Sequence, residues 1–326
     1  MPAGNIESRS TYGGLIKGVE AAFIDVFDQT LLDYKPMYER IAKKRGSTKE
    51  RERTTGVAGP GNLILKDEGD NVSRGARLKL YNTEYIHKTY AKAIEVTMEA
   101  MEDNEWSEKL DDAKMLTRRG VLTMEQHFFQ LFNDGFSLTD SDANFPISRY
   151  GDGKALFSTA HPRKDGGTAQ SNASATSIAL SEANLNVGRL ALLRQLQDDG
   201  TPMDTTGKIL LIVSLANEKL AVEITKSEYR SGTANNDINF YEGVGFDVLA
   251  CKYLDSVLGG SDTAWFLVMP EIAKLLMWER KGLTMRNTTD EDTFNFKSSI
   301  HARWSVGFGD WRGTWGSKGD GTVYSG

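Results

Sequence analysis

The residues best suited to nucleophilic or acid–base chemistry in this chain lie in one short stretch, GDGKALFSTAHPRKDGG at residues 151–167. A serine hydrolase needs a serine hydroxyl against a histidine ring that a third group orients, and these groups normally come from distant parts of a fold. Here Ser158 and His161 are close neighbours in sequence, and the Gly-x-Ser-x-Gly elbow is missing. The stretch is therefore either the remains of a catalytic site or a turn of the chain.

Metal or thiol chemistry has weak support elsewhere. The four histidines are scattered, and the sequence has neither an HExxH nor a CxxC motif. Cys251 lies in the apolar run DVLACKYLD, which favours a buried, inert thiol over a nucleophile. Residues 140–144, DSDAN, begin like a calcium loop, but Phe145 stands where that loop needs glycine and Gly151 where it needs glutamate. We expect no catalytic residue, no metal site and no cofactor.

The composition is that of a folded globular protein. The chain has 326 residues, 39% hydrophobic and 26% charged, enough for one large domain or two ordinary ones. With a net charge of −6, the chain lacks the basic excess of proteins that bind nucleic acid over most of their surface, so we exclude that class. The single cysteine excludes an intrachain disulfide and fits a reducing cytoplasm. We expect no export signal and no membrane span, because no apolar run approaches the required length.

Apolar residues at helical spacing predict two long helices. The first covers residues 14–32, and the second starts at Trp106 and continues for about 28 residues, with Gly120 marking a bend or a close contact. Tyr85 to Met98 is rich in β-branched and aromatic residues and is predicted as a strand, although Ala91 to Glu99 also fits a helix.

The second half of the chain predicts a mixed α/β region after a long irregular segment at residues 134–176. Ser181 before a glutamate is typical of a helix N-cap, and the run KILLIVS predicts a buried strand. The expected elements are a helix at 181–197, a strand at 208–214, a helix at 217–226, and strands at 246–250, 264–269 and 295–315.

Residues 56–79 have the pattern of a long hairpin. Strand-like runs at Asn62 to Lys66 and Ala76 to Leu80 flank a polar tip that holds Gly69 and Gly75. A lone two-stranded hairpin is marginally stable in water, so we expect this one to gain order on another surface.

Two oppositely charged segments stand out in the first third of the chain. Residues 35–53 carry a local charge of +5, and residues 101–112, at the head of the second long helix, carry −5. The basic segment is a solvated face, a nucleic-acid contact or the partner of an acidic surface. Acids near a helix N-terminus also offset its dipole. We expect the basic segment to lie against the acidic helix head, within one subunit or across to a neighbour.

The order of these parts resembles that of tailed-phage major capsid proteins, and most closely the Mu-like major head subunit family with the Hong Kong 97-type fold. The resemblance covers most of the chain and is strongest from residue 85 onward. It is carried by ALFSTAHP (155–162), ANLNVGRLALLRQLQDDGTPMD (183–204), LLIVSLANEKLAVEI (210–224), NFYEGVGFDVLACKYLD (239–255), TAWFLVMP (263–270) and DWRGTW (310–315).

The resemblance implies an α+β fold with a spine helix, in which residues 151–162 are a structural connection and Ser158 and His161 have no catalytic role. The implied parts are an N-terminal arm (1–55), an extended hairpin loop (56–84), a peripheral domain with the spine helix (85–180), an axial domain (181–270) and the C-terminal strands of the peripheral domain (271–326).

The implied function is structural: a major capsid protein that assembles in the host cytoplasm into the icosahedral shell of a virion and encloses double-stranded DNA. Its implied partners are further copies of itself, portal and scaffold proteins, cement proteins where a phage has them, and DNA held by non-specific contact. Two alternatives are an encapsulin-like nanocompartment shell and, in a different class, a soluble hydrolase that uses Ser158 or Cys251.

We expect the arm and the hairpin to be ordered on adjacent subunits, because neither can bury its apolar residues within its own copy. The residues expected at subunit contacts are Lys43, Lys44, Arg45, Arg51 and Arg53 of the basic segment, Lys66, Asp67, Glu68, Asp70 and Arg74 of the hairpin, and Glu102, Asp103, Glu105 and Glu108 of the acidic helix head.

Overall fold

The computed structural model describes residues 9–59, 61–75, 77–103, 107–229 and 238–324. The α-helices in these ranges are α1 (Arg9–Asp33), α2 (Met98–Glu102), α3 (Ser107–Asn133), α4 (Glu182–Leu193), α5 (Glu218–Lys226) and α6 (Phe240–Val244). The strands are β1 (Lys43–Gly46), β2 (Arg51–Ala58), β3 (Leu78–Ile86), β4 (Lys88–Val96), β5 (Ile147–Ser148), β6 (Leu210–Val213), β7 (Asp247–Ala250), β8 (Trp265–Val268), β9 (Leu275–Thr289), β10 (Phe296–Phe308) and β11 (Thr314–Ser317). Helices and strands are mixed without a repeating βαβ order, as expected for the α+β class.

The larger sheet has the strand order β1-β9-β10-β4, with the short β5 beside β10. Its centre is the antiparallel pair of β9 and β10, in which Phe296 lies opposite Thr289 and Phe308 opposite Leu275. β1 joins the other side of β9 in parallel. The spine helix α3 packs across one face of this sheet, where Ile300 and Trp304 are buried.

The spine helix α3 confirms the second predicted long helix, and its packing explains why residue 120 is a glycine. A Cβ atom at Gly120 would lie 2.9 Å from side-chain atoms of both Leu283 and Ile300, closer than van der Waals contact allows. Glycine therefore lets β9 and β10 approach the helix, so the predicted close contact is confirmed.

The N-terminal helix α1 packs against other parts of its own chain, contrary to the expectation for the N-terminal arm. Val19, Phe23 and Phe27 of α1 are buried, and the ring of Phe23 meets that of Phe296 edge to face at 5.3 Å. Just beyond the helix, the Tyr34 hydroxyl donates to buried Glu125 of α3 at 2.7 Å. The expectation that the arm cannot bury its apolar residues within one copy is therefore wrong for the described part of α1.

The smaller sheet has the order β11-β8-β6-β7, with α4 and α5 packed against it. Its strands β6 and β8 are buried along their whole length, as their uninterrupted apolar sequences predicted. The Ser181 hydroxyl accepts from the N–H of Asn184 and caps α4, which ends at Leu193 rather than at residue 197.

The hairpin is present, but its strands differ from those predicted. β2 and β3 pair in antiparallel fashion from Arg51 opposite Ile86 to Ala58 opposite Leu78. Asn62 to Lys66 lies in no strand, because the paired residues stop at the base of the loop. Tyr85 to Val96 is strand, apart from His87 between β3 and β4, so the helical alternative for this segment is wrong.

A buried histidine on the spine helix makes the fold sensitive to acid. His127 is fully buried, its Nε2 lies 3.1 Å from the carbonyl oxygen of Pro146, and its Nδ1 accepts from the indole N–H of Trp304 at 2.9 Å. Burial lowers the pKa of His127 from 6.5 to about 4. A proton on Nδ1 would face the indole hydrogen, so the folded chain keeps this ring neutral.

We therefore expect His127 to destabilise the fold as the pH falls from 6.5 towards 4, because the unfolded chain takes up the proton first. The difference between these two pKa values lowers the free energy of unfolding by about 3 kcal/mol at pH 4. The measurement is the free energy of unfolding of the wild-type chain and of His127→Gln between pH 7 and pH 4. The wild-type value should fall more steeply, and parallel profiles would contradict the assignment.

Candidate assembly surfaces

Residues 151–167 form a connection with a buried polar pair at its centre. The side chains of His161 and Asp152 are closed to solvent, with Nδ1 of the histidine 2.7 Å from Asp152 Oδ2. Its Nε2 lies 3.1 Å from Asn172 Oδ1. That oxygen also accepts from the N–H of Ser158, while the amide nitrogen donates to the carbonyl oxygen of Leu156, which fixes the orientation of the amide. The imidazole ring thus links the carboxylate of Asp152 to the amide of Asn172.

The surroundings of this pair support the turn interpretation. The His161 ring stacks on Trp311 with ring centroids 4.3 Å apart and planes 7° apart. Ser158 is fully buried, and its hydroxyl accepts from the N–H of Ala160. A substrate has no access to a hydroxyl in this position. The stretch thus holds its own turn together.

The other face of the connection is built around a buried arginine. Arg312 Nη1 lies 3.0 Å from Asp198 Oδ2 and 3.1 Å from Asp310 Oδ1, and its Nε donates to the carbonyl oxygen of Leu196. Burial alone would lower the pKa of Arg312, but Asp310 and Asp198 outweigh it and hold the pKa above its usual range. The guanidinium also lies 4.6 Å from the centre of the Trp311 ring.

We call this set the polar junction: Asp152, His161, Asn172, Asp198, Asp310, Trp311 and Arg312. It joins the irregular segment, the turn after α4 and the link between β10 of the larger sheet and β11 of the smaller one. Its charges are paired and buried, so it fixes how these segments meet.

Cys251 does not have the environment of a nucleophile. It is fully buried directly after β7, and burial raises the pKa of its thiol to about 12. The thiolate, which is the reactive form, is therefore scarce at neutral pH. In the described part of the chain no three acidic, histidine or cysteine side chains are grouped as a metal site.

The loop at the end of the β2–β3 hairpin, residues 59–77, is exposed throughout its described residues. Leu63 and Leu65 are 102% and 92% exposed, and Ile64 and Val72 are exposed as well. The charged residues predicted for subunit contacts in this loop are also exposed; they are Lys66, Asp67, Glu68, Asp70 and Arg74. Exposed apolar residues next to charges are typical of a surface that another molecule covers.

The basic segment has partners of its own within the chain. Lys43, Lys44 and Arg45 form β1, where Lys43 Nζ donates to the carbonyl oxygen of Glu271 and Lys44 pairs with Glu279 at 3.0 Å. Arg45 lies over the ring of Trp278. Burial and then the nearby Lys274 and Arg45 lower the pKa of Lys43. These three residues thus contact the larger sheet, and the version of the prediction that placed them on the acidic helix head of their own subunit is wrong.

The remaining predicted contact residues lie in two places. In the hairpin, Arg51 pairs with Glu84 at 2.9 Å, and Arg53 is exposed opposite the same residue. At the acidic helix head, Asp103 and Glu108 are exposed. Glu105 and the side chain of Glu102 lie outside the described residues.

A family model described as phage capsid protein matches residues 81–316. The chain belongs to the phage capsid protein family. It is a major capsid protein, a structural subunit of the phage head in the virion. The match favours a phage head over an encapsulin-like compartment, and the narrower Mu-like assignment stays a prediction.

Solved structures show the fold of this capsid protein. The capsid of a native GTA particle has 11% sequence identity and a TM-score of 0.52, covering 86% of this chain and 88% of that one. The mature capsid of bacteriophage PhiM1 has 12% identity and a TM-score of 0.51, covering 87% and 86%. The structure from Mycobacterium phage Adephagia has 13% identity and a TM-score of 0.50, covering 88% of this chain and 92% of that one. These likenesses confirm the Hong Kong 97-type fold.

No curated protein sequence matches the capsid protein. Within the described ranges, no helix is long and apolar enough to cross a membrane.

Proposed function

We propose that this capsid protein assembles with copies of itself into a closed icosahedral shell around double-stranded DNA, and that it does so in the host cytoplasm. A subunit held by several neighbours leaves a closed assembly only when all its contacts break together, so modest interfaces suffice. Portal and scaffold proteins, and cement proteins where the phage has them, are the proposed partners. The net charge of −6 fits weak, non-specific contact with packaged DNA.

The proposed domains follow the two sheets. The larger sheet with α3 corresponds to the peripheral domain, and the smaller sheet with α4 and α5 to the axial domain. One boundary changes: β9 and β10 lie in the larger sheet, whereas β11 pairs with β8 in the smaller one. We therefore propose that the segment 271–326 divides after Phe308, at the polar junction.

The exposure of apolar residues in the hairpin loop is the main support for self-assembly. Three successive apolar residues, Leu63, Ile64 and Leu65, are at least 70% exposed in a single chain. Covering such a side chain completely stabilises it by about 1.5–3 kcal/mol. A neighbouring subunit can supply that cover, which couples the ordering of the loop to assembly.

Replacing Leu63, Ile64 and Leu65 together with serine tests this function. We expect the unfolding midpoint of the unassembled subunit to stay unchanged, because these side chains are exposed in one chain. Particle yield, counted by negative-stain microscopy and sedimentation, should fall by about ten-fold or more. A matched control is Val257→Ser, which removes a side chain that is 91% exposed outside the loop. Full yield of particles from the triple variant would contradict the proposal.

Reversal of Lys43, Lys44 and Arg45 to glutamate should weaken assembly in a salt-sensitive way, because we propose that this basic segment also meets an acidic surface of a neighbour. The substitution breaks the internal pair with Glu279 as well. Adding Glu279→Lys restores that pair but not the Lys43 bond to Glu271 or the Arg45 contact with Trp278, so the assembly defect is compared with the unfolding midpoint of the unassembled variant. Particle yield at low and high salt is the measurement. Unchanged yield at low salt would count against the contact.

A further inference from the structure

The face of the larger sheet that points away from the spine helix carries a row of cations. Ile300 and Trp304 of β10 are buried towards α3. His301 and Arg303 alternate with buried residues along the same strand, so they lie on the opposite face. Lys281 of β9 lies opposite Arg303, and residues paired across two strands share a face. Its Nζ atom is 2.7 Å from His301 Nε2, which agrees with this placement.

Arg286 extends the row along β9. It lies opposite Ser299 of β10, which shares a face with His301 because the two are separated by one residue. Burial lowers the pKa of His301, and the charges of Lys281 and Arg286 lower it further. Both cations therefore lie near this ring.

Arg280 lies at the other end of the row. Burial lowers the pKa of His87, and the charges of Arg303 and Arg280 add to that effect, so both guanidinium groups lie near the His87 ring. That ring is on the same face of the sheet, because its Nδ1 lies 3.0 Å from Ser305 Oγ. The cation row is defined as Arg280, Lys281, Arg286 and Arg303.

The cation row carries charge that the chain itself leaves uncompensated. Among the residues that the structure describes, none of its four members has an acidic partner. Lys297 of the same face shows the contrast, since it pairs with both Asp290 and Glu95. Exposed Ala91 and Ala93 of β4 place small side chains beside the row. The row therefore offers charge without a large apolar anchor, which selects an acidic partner.

Acidic residues bound the cation row at both ends, and this decides which polyanion fits. Glu291 and Asp292 are exposed in the turn that joins β9 to β10. At the other end, Glu52 lies close to His87, because its carboxylate opposes the effect of burial on the pKa of that ring. Between these ends the row measures about 20 Å along β9, at roughly 3.3 Å per residue. A DNA duplex has phosphates along its whole length and would bring some of them against these acids, whereas a short acidic segment of a protein fits between them.

We infer that the cation row binds an acidic segment of a second, different protein, whose carboxylates face the guanidinium and ammonium groups of the row. An extended segment of about six residues covers its length. The contact is sensitive to salt, because charges supply most of the attraction. This inference rests on the proposed function, in which accessory proteins join the shell, and it names a surface for one of them.

Binding of a labelled oligoglutamate of about eight residues to the unassembled subunit, measured by fluorescence anisotropy, tests the surface. A quadruple variant, in which all four members of the cation row become serine, should bind it about ten-fold more weakly or worse. Lys281→Ser with Arg286→Ser changes only exposed side chains, so it should keep the unfolding midpoint and still weaken binding several-fold. A matched control makes the same change in net charge at exposed positions outside the row and should bind like the wild-type chain. Its substitutions are Lys17→Ser, Lys35→Ser, Lys114→Ser and Lys208→Ser.

Two further probes identify where the peptide lies and which polyanion the surface prefers. A photoreactive benzophenone at the end of the oligoglutamate should cross-link to β9 or β10, as mapped by mass spectrometry. A labelled DNA duplex of about 20 base pairs should bind the wild-type chain and the quadruple variant equally, because the acidic ends of the row keep it away. Oligoglutamate binding that is equal in the two chains, cross-links confined to other elements, or duplex binding that depends on the row would each overturn the inference.

Particle yield separates this inference from the proposed function. The quadruple variant should form particles in the wild-type yield, because the row is kept for a different protein. Loss of particles with an unchanged unfolding midpoint of the subunit would make the row a contact between copies, which overturns the inference and leaves self-assembly standing. A wild-type chain that forms no particles contradicts self-assembly, while oligoglutamate binding to the unassembled subunit still decides the inference.

Discussion

Replacing Arg312 with methionine should lower the free energy of unfolding by about 3–5 kcal/mol, because it removes the cation from two buried acids. Asp198 and Asp310 both place an oxygen close to Nη1 of this arginine, and their side chains are only 2% and 8% exposed. Methionine keeps most of the apolar volume against Trp311, so the loss reports on the charge. Without Arg312, the carboxylate of Asp198 is left in a closed site without its cation.

The measurement is denaturant unfolding of the unassembled subunit at neutral pH. Lys274→Met is the matched control: Lys274 pairs with the same Asp310 at 3.3 Å, but its side chain is 46% exposed, so the loss should stay below about 1 kcal/mol. Combining Arg312→Met with Asp198→Asn should recover part of the stability, since the stranded charge is gone. Equal losses in Arg312→Met and Lys274→Met would show that the pairs contribute no more than a surface contact.

Much of the fold could be predicted because several elements depend mainly on their own sequence. β6 and β8 are continuous apolar runs, and α3 repeats apolar residues at helical spacing. The Ser181 cap marked the start of α4. These patterns need no knowledge of the partner, so these elements followed from the sequence, whereas the α+β class came from the resemblance to capsid proteins.

The elements that were missed depend on distant partners. β9 is apolar over its first residues and polar beyond Trp278, and it is a strand along its length because β10 pairs with it. β1 is short and highly charged, and its strand form comes from pairing with β9. The apolar run at Asn62 to Lys66 was the opposite case: it has strand propensity, but no partner strand in its own chain.

The charged sites show the same limit. Two blocks of opposite charge in sequence suggested that they meet, yet Lys44 pairs with Glu279, which is far away along the chain. The polar junction was visible only in part, as an unusual density of polar residues at 151–167. Asp198 and Arg312 could not be joined to it, because nothing in local sequence reports which loops converge.

Replacing His161 with alanine should destabilise the whole connection at residues 151–167. His161→Ala leaves the Asp152 carboxylate without the donor at 2.7 Å, removes the donor to Asn172 and opens a gap against Trp311. A buried charge without its partner and a cavity each destabilise, so we expect a loss of about 3–5 kcal/mol. His301→Ala is the control, because that ring is only half buried on the larger sheet and its loss should cost below about 1 kcal/mol.

A double-mutant cycle separates the pair from the packing. If Asp152 and His161 stabilise each other, Asp152→Asn should cost much less in the His161→Ala background than in the wild-type chain. Near-ultraviolet circular dichroism should report the altered surroundings of Trp311 in the same samples. Additive losses would mean that the two side chains act independently, and the description of residues 151–167 as a connection held by the buried pair of His161 and Asp152 would then be wrong.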